Sequence, residues 1–123
     1  MYVESFKQLI VWQKGIKLVK EIYLLTEIFS KNEMYGLVSQ MRRAAVSIPS
    51  NIAEGKKRKT LNDYLQFLRI ADGSAAELET QIIISKDLYK KIDFVKAESI
   101  LVEIQKMLSV LIRKLELLRD NKS

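Results

Sequence analysis

Hydrophobic residues in this chain recur at steps of three and four along three long segments. The clearest run lies in the last segment and comprises Leu101, Ile104, Leu108, Leu111, Leu115 and Leu118. Similar runs begin at Leu9 and at Tyr64. A repeat of about 3.5 to 3.6 residues places one apolar stripe along a helix, and no segment keeps the alternation of a strand. The pattern therefore predicts an all-α fold.

Few residues interrupt these segments, because the 123 residues include one Pro and four Gly. Polar stretches at 30–33 and 56–59 are typical of breaks between helices. We predict helix one from about Ser5 to Phe29, and helix two from Met34–Leu37 to about Gly55. Long helices joined by short connections favour an antiparallel up-down-up-down four-helix bundle, with residues 1–123 forming a single domain.

The second half of the chain carries start signals for two further helices. Thr60 is a good N-cap, and Asp63 favours the N-terminus of a helix that runs to about Tyr89. Asp93 is another candidate N-cap, for a fourth helix that frays at 120–123. Gly73 lies inside helix three and predicts close helix packing, because Gly costs about 1 kcal/mol relative to Ala in a helix.

Helix two contains the single proline of the chain. Pro49 lacks a backbone donor and crowds the carbonyl of Ala45, so we expect it to kink the helix or to split it. Two interpretations stay open for the kink. It is either a tolerated bend in a surface helix or a bend that shapes an interface.

The chain has no His and no Cys, which excludes several classes of protein. There is no disulfide framework, zinc-thiolate site or Ser-His-Asp triad. We find no catalytic constellation, no metal site and no cofactor motif, so we predict a non-enzyme. The longest uncharged stretch, 44–53, is too short to span a bilayer, and the N-terminus lacks the order of a signal peptide. We therefore expect a cytoplasmic protein that does not associate with membranes.

Lys and Arg total 21 against 15 for Asp and Glu, giving a formal charge of +6. The candidate nucleic-acid-binding residues are the basic run Lys56, Lys57, Arg58 and Lys59, with Arg42, Lys14 and Lys17. Such a cluster favours phosphate backbones, although a solvated turn is the alternative interpretation. No base-reading motif accompanies it, so any nucleic acid is expected to be recognised by shape and backbone charge.

Polar residues also form a stripe beside the apolar face of helix two. Its members are Gln40, Arg43, Ser47, Asn51 and Glu54, and helix three adds Ser74, Glu77 and Gln81. An antiparallel hairpin places Arg43 level with Ser74 and predicts an Arg43–Glu77 ion pair one turn away. The stripe is either a solvated face or a buried polar network that fixes helix register or a subunit contact.

The sequence resembles the 23S rRNA intervening-sequence proteins, also called four-helix bundle proteins. The resemblance rests first on Glu33-x-Tyr35-Gly36-Leu37, Gln40-x-Arg42-Arg43-Ala44 and Val46-Ser47-Ile48-Pro49-Ser50-Asn51-Ile52-Ala53-Glu54-Gly55. It continues through Arg58, Tyr64, Phe67-Leu68-x-Ile70-Ala71-x-Gly73-Ser74, Glu77-Leu78 and Thr80-Gln81, with Phe6, Leu9 and Val11-Trp12 at the start. Two departures are Ser30, where the family often has Pro, and Asp72, where a basic residue is common.

The resemblance implies a bacterial four-helix bundle that binds rather than catalyses. Family members are similar to the accessory protein of diversity-generating retroelements, a basic homopentameric ring that engages nucleic acid. The resemblance also implies a shared functional or assembly surface that includes Arg42, Arg43, Asn51, Glu54, Gly55 and Arg58. Our leading hypothesis is a non-enzymatic RNA- or nucleic-acid-associated protein that acts as a homo-oligomer, with a pentamer implied by the resemblance. The alternative is a protein-interaction scaffold, in which the polar stripe and the Pro49 bend form the contacts.

Overall fold

The computed structural model describes residues 5–122, with the side chain of the last of these left out. Its four long helices are α1 (Ile10–Thr26), α2 (Ser39–Lys56), α3 (Leu61–Leu88) and α4 (Val95–Lys122). No strand occurs within the described residues. The predicted all-α fold is therefore confirmed.

Irregular turns precede the first two helices. A 3-10 turn at Phe6–Gln8 follows Ser5, so the regular part of helix one begins five residues later than we predicted, at Ile10. A second 3-10 turn at Lys31–Glu33 runs into a π-helical turn at Met34–Val38. Gly36 has a non-helical backbone there, with φ −109° and ψ −106°. The predicted start of helix two thus falls on an irregular turn.

The predicted start of α3 agrees with its capping geometry. The Thr60 hydroxyl accepts a hydrogen bond of 3.1 Å from the Asp63 amide, which satisfies one of the free donors of the first turn. Before α4, the Asp93 carboxylate accepts a hydrogen bond of 2.9 Å from the Val95 amide. Helix α4 continues to Lys122, and Ser123 lies outside the described residues, so the fraying expected at 120–123 stays a prediction.

Each long helix packs against two others: α1 against α2 and α4, and α3 against α2 and α4. Their apolar faces meet in one core, whose fully buried members include Leu18, Ile22, Met41, Ile48, Ile52, Leu68, Leu78, Ile82, Ile104 and Leu108. Contacts between α3 and α4 join Lys86 to Glu98 and Arg69 to Glu116, so residue numbers rise on one helix as they fall on the other.

Pro49 lies inside α2, which continues without interruption from Ser39 to Lys56. The proline is buried and faces Gly15 of α1, where a Cβ atom would lie 3.1 Å from the Pro49 Cβ. A glycine on α1 therefore makes room for the pyrrolidine ring. The helix is not split at Pro49, and the bend expected there stays a prediction.

Close approach of α2 and α3 depends on Gly55 rather than on Gly73. A Cβ atom at Gly55 would lie 2.9 Å from the Phe67 Cβ and 3.2 Å from the Tyr64 carbonyl oxygen. Gly73 is exposed, and a Cβ atom there would have no neighbour within 4 Å. The predicted close packing at Gly73 is therefore wrong, because this residue lies on the outer face of α3.

Candidate nucleic-acid interface

Two cations of the α2–α3 turn are held by aromatic rings from the start of α3. The Arg58 guanidinium carbon lies 4.7 Å from the centroid of the Phe67 ring, and its Nη2 donates a hydrogen bond of 2.7 Å to Glu54 Oε2. The Lys56 ammonium lies 5.9 Å from the centroid of the Tyr64 ring. Attraction between a cation and the ring face restrains these side chains and keeps their charge at the turn.

The other two cations of the basic run are free. Lys57 and Lys59 are exposed, and within residues 5–122 neither of their ammonium groups forms a hydrogen bond or an ion pair. Lys57 lines an open surface groove of about 610 Å³ together with Phe6, Ser50, Ala53, Glu54 and Arg58. The turn therefore presents two unneutralised ammonium groups beside a restrained guanidinium.

The predicted basic residues of α1 lie away from this turn. The Lys14 ammonium pairs with Glu103 Oε2 of α4 at 2.9 Å, while Lys17 is exposed and without a partner among the described residues. Gly15, the neighbour of Lys14, packs against Pro49, and eight residues of helix separate Pro49 from Lys57, or about 12 Å. The structure does not bring Lys14 into the basic turn.

Arg42 lies at the junction of α1 and α2. Its Nε donates a hydrogen bond of 3.0 Å to the Thr26 hydroxyl, and its guanidinium carbon lies 4.4 Å from the centroid of the Tyr23 ring. The buried Thr26 hydroxyl in turn donates to the Ile22 carbonyl at 2.7 Å. Arg42 is thus fixed by α1, and 15 residues of helix, or about 22 Å, separate it from Lys57.

The middle of the polar stripe joins α2 to α3 within one subunit. The Ser47 and Ser74 hydroxyl oxygens are hydrogen-bonded at 2.8 Å. Asn51 Nδ2 donates to the Ser47 carbonyl at 2.8 Å and to its hydroxyl at 2.9 Å. These bonds satisfy polar groups that the helix packing half-buries, so this part of the stripe fixes the register of α2 against α3.

The N-terminal part of the stripe lines a groove between the same helices. The groove has a volume of about 440 Å³ and is lined by Gln40, Arg43, Ala44, Ser47, Ser74 and Glu77. Arg43 and Glu77 are both exposed, and neither forms an ion pair within residues 5–122. The expected Arg43–Glu77 ion pair is therefore not formed: the two side chains line the same groove, but both stay exposed to solvent.

The remaining members of the stripe have different surroundings. Glu54 pairs with Arg58 at the basic turn. Gln81 is buried, and its Oε1 atom forms no hydrogen bond. The neighbouring Ser85 hydroxyl donates to the Gln81 carbonyl at 2.8 Å and approaches the Met41 sulfur at 3.3 Å. The structure thus divides the residues of the stripe among a surface groove, the helix contact, the basic turn and the core.

Sequence reasoning missed a third groove, between α1 and the start of α2. It has a volume of about 570 Å³ and is lined by Tyr23, Met34, Tyr35, Val38, Ser39, Arg42, Arg43, Val46 and Ser47. Tyr35 is 94% exposed, more than any other large hydrophobic residue described. The available signal was an aromatic residue placed shortly before two consecutive arginines, but only the fold shows that they share a groove.

Within residues 5–122, no group of His, Cys, Asp and Glu side chains is placed to hold a metal ion. No helix in that part of the chain is both long and apolar enough to cross a membrane. Burial raises the pKa of the Tyr64 hydroxyl, whose ring lies under Lys56.

The family model described as "23S rRNA-intervening sequence protein" matches residues 7–110. The chain is also similar to a crystal structure from Bacteroides thetaiotaomicron, described as a protein of unknown function from the S23 ribosomal protein family. That similarity has a TM-score of 0.73 at 25% sequence identity and covers 84% of this chain and 98% of the other. No curated protein sequence matches this chain.

Proposed function

Because this chain belongs to the 23S rRNA-intervening sequence protein family, we propose that it is a non-enzymatic, RNA-associated protein that binds phosphate backbones through its α2–α3 turn. The observation that carries the proposal is the pair of exposed, unpartnered ammonium groups of Lys57 and Lys59 on either side of Arg58. Arg58 is already restrained by Glu54 and Phe67, so less side-chain entropy is lost when it contacts a phosphate.

The chemistry of the turn favours backbone contact over base reading. Its aromatic rings, Tyr64 and Phe67, are half-buried and lie against the cations of Lys56 and Arg58. The groups left for a ligand are therefore positive charges, which attract any nucleic acid by releasing its counterions. We expect binding to structured RNA and to duplex DNA that weakens steeply as salt rises.

Charge reversal at the turn tests this function. The double variant Lys57→Glu and Lys59→Glu should abolish the mobility shift of structured rRNA at low salt. Lys90→Glu and Lys91→Glu form the matched control, because these lysines are also exposed, lie in the α3–α4 turn and give the same change in net charge. The control should keep the wild-type shift. Absence of any shift with wild-type protein at low salt would refute the function, and equal loss in both double variants would refute the role of the turn.

We further propose that the helices follow an up-down-up-down order with a bend at Pro49, and that the protein is a cytoplasmic homo-oligomer. Pairs of contacting residues support this order. Gly15 faces Pro49 while Thr26 bonds Arg42, so residue numbers on α1 and α2 run in opposite directions. The pentameric number rests on the resemblance to the accessory protein of diversity-generating retroelements. Light scattering at the mass of a monomer would contradict the oligomer.

A protein-interaction scaffold is the second candidate function. The observation that favours it is the α2–α3 groove, where Gln40, Arg43 and Glu77 offer exposed polar groups with no partner among the described residues. Charge reversal of Lys57 and Arg58 separates the two functions. It should remove nucleic-acid binding if the first is correct, and it should leave contacts with a protein partner intact if the second is correct.

A further inference from the structure

The groove between α1 and α2 combines exposed aromatic and apolar surface with two arginines. The Tyr35 side chain is 94% exposed, and Met34 and Tyr23 beside it are 53% and 40% exposed. A tyrosine ring this exposed buries almost no apolar area in the folded chain, so the packing of the subunit does not account for its position.

The backbone of the π-helical turn places this ring outside the helical core. Tyr35 precedes Gly36, whose φ and ψ of −109° and −106° interrupt the helix. On the far side of the glycine, Leu37 and Val38 return to the buried core. The chain is thus anchored after the exposed ring, and a hydrogen bond of 3.4 Å from the Leu37 amide to Glu33 Oε2 spans the turn that carries it.

The two arginines offer complementary anion-binding groups. Arg42 is held by Thr26 through its Nε and by the Tyr23 ring, and its two terminal nitrogens form no hydrogen bond with any of the described residues. Arg43 is exposed and has no partner among the described residues. None of the described side chains that line the groove is acidic. The nearest carboxylate along the chain, Glu33, accepts from the Leu37 amide.

We propose that this groove binds a nucleotide of single-stranded RNA, with the base stacked on Tyr35 and its phosphate held by Arg42 and Arg43. The inference rests on the proposed RNA association and adds a second, chemically different site to it. Unpaired bases stack on exposed aromatic rings, whereas the bases of a duplex are already stacked on each other. A guanidinium that is fixed and still has free donors suits a phosphate group.

The two sites are separate along α2. Arg43 and Lys57 are 14 positions apart, which corresponds to about 21 Å of helix. The basic turn offers charge without an exposed ring, and the groove offers an exposed ring with charge. An RNA that contacts both would place a paired region at the turn and an unpaired nucleotide in the groove.

Fluorescence anisotropy with three RNA probes tests the groove. The probes are a short single strand, the same strand with abasic positions, and a duplex. Tyr35→Ala should weaken binding of the single strand about tenfold, the loss expected for one base–aromatic stack. It should leave the affinities for the abasic strand and the duplex unchanged. Tyr35→Phe, which keeps the ring, should bind like the wild type.

Other results would overturn the inference. If Tyr35→Ala bound the single strand as tightly as the wild type does, no base would stack on Tyr35. Equal losses of affinity for the normal and abasic strands would show that Tyr35 does not contact the base. A lower mass of Tyr35→Ala in light scattering would assign the groove to a contact between copies of the chain.

The same probes separate this inference from the proposed function. If Lys57→Glu with Lys59→Glu abolishes duplex binding while Tyr35→Ala changes no affinity, the nucleotide site in the groove is refuted and phosphate binding at the basic turn is supported. If Tyr35→Ala weakens single-strand binding and the turn variant binds the duplex as the wild type does, phosphate binding at the turn is refuted and the nucleotide site in the groove is supported. If the wild type binds none of the probes at low salt, both fail.

Discussion

Consecutive lysines occur in the α2–α3 turn and in the α3–α4 turn, but the aromatic residues beside them have different roles. In the α2–α3 turn, the rings of Tyr64 and Phe67 lie against the cations of Lys56 and Arg58. The rings there support charged groups at the surface. The α3–α4 turn uses its rings to close the hydrophobic core.

Three rings pack on one another beside the α3–α4 turn. The Phe29 and Tyr89 centroids are 4.3 Å apart in a stacked arrangement, and the Phe29 and Phe94 centroids are 6.2 Å apart, edge to face. The Tyr89 hydroxyl also accepts a hydrogen bond of 3.1 Å from the Ser30 amide, which ties α3 to the chain after α1. Lys90 is exposed and has no partner among the described residues.

The difference shows at which of the two turns the positive charges are held in place by neighbouring side chains. Charge at the α2–α3 turn is positioned by packing and by an ion pair to Glu54, whereas Lys90 and Lys91 lie on a turn whose order comes from apolar rings. Stability should therefore depend most on the rings of the α3–α4 turn. Binding of phosphates should depend on the α2–α3 turn.

Phe29→Ala should give the largest loss of stability. The ring is 6% exposed and contacts Tyr89 and Phe94, so its removal leaves a cavity in the core. We expect the free energy of unfolding to fall by about 3–5 kcal/mol, measured by urea denaturation. Phe67→Ala at the other turn should cost less, because that ring is half-buried. Equal losses would mean that both turns close the core in the same way.

Gly55→Ala should have an intermediate effect at the α2–α3 turn. The new methyl group would lie 2.9 Å from the Phe67 Cβ and 3.2 Å from the Tyr64 carbonyl oxygen, so α2 and α3 would have to separate. Overpacking of this kind costs about 1–3 kcal/mol, against a gain of about 1 kcal/mol in helix propensity. We expect a net loss, measured by thermal unfolding.

Gly73→Ala is the control for Gly55→Ala, because it adds the same methyl group at a solvent-exposed position of a helix. No atom lies within 4 Å of a Cβ at this position, so only the helix propensity acts and stability should rise by up to about 1 kcal/mol. A stabilised Gly55→Ala variant would show that the rings of Tyr64 and Phe67 are not packed closely on α2.

The sequence allowed the helices to be predicted because their signals are local. The apolar stripe of α4 and the Thr60 cap each depend on residues within a few positions of one another. The irregular backbone at Gly36 could not be predicted in this way, because an irregular turn inside a helical pattern leaves no periodic signal. The surroundings of Gly73 could not be predicted either. Whether this glycine faces another helix or solvent depends on the rotation of α3 about its own axis.

The candidate sites were predictable only in part, because side-chain partners depend on the register between helices. The basic run at 56–59 is visible as consecutive letters. We expected Arg43 to lie level with Ser74, whereas Ser47, one helical turn further along α2, is the residue that bonds to it. The rings under Lys56 and Arg58 and the groove at Tyr35 likewise require the packed helices.

The smallest effect that we predict concerns alkaline pH and Tyr64. Burial disfavours its charged phenolate and raises the pKa of the folded state above the ordinary value of 10.0. Above pH 10 the unfolded chain loses this proton first, so the native state becomes less stable as pH rises towards the folded pKa.

Tyr64→Phe cannot ionise at this position. Its free energy of unfolding should therefore fall less between pH 9 and pH 11 than that of the wild type, measured by urea denaturation at each pH. The two proteins differ only in this hydroxyl group, so the difference between their profiles reports on Tyr64. Parallel profiles would mean that the Tyr64 hydroxyl is as well solvated in the fold as in the unfolded chain, and that the ring under Lys56 is only loosely packed.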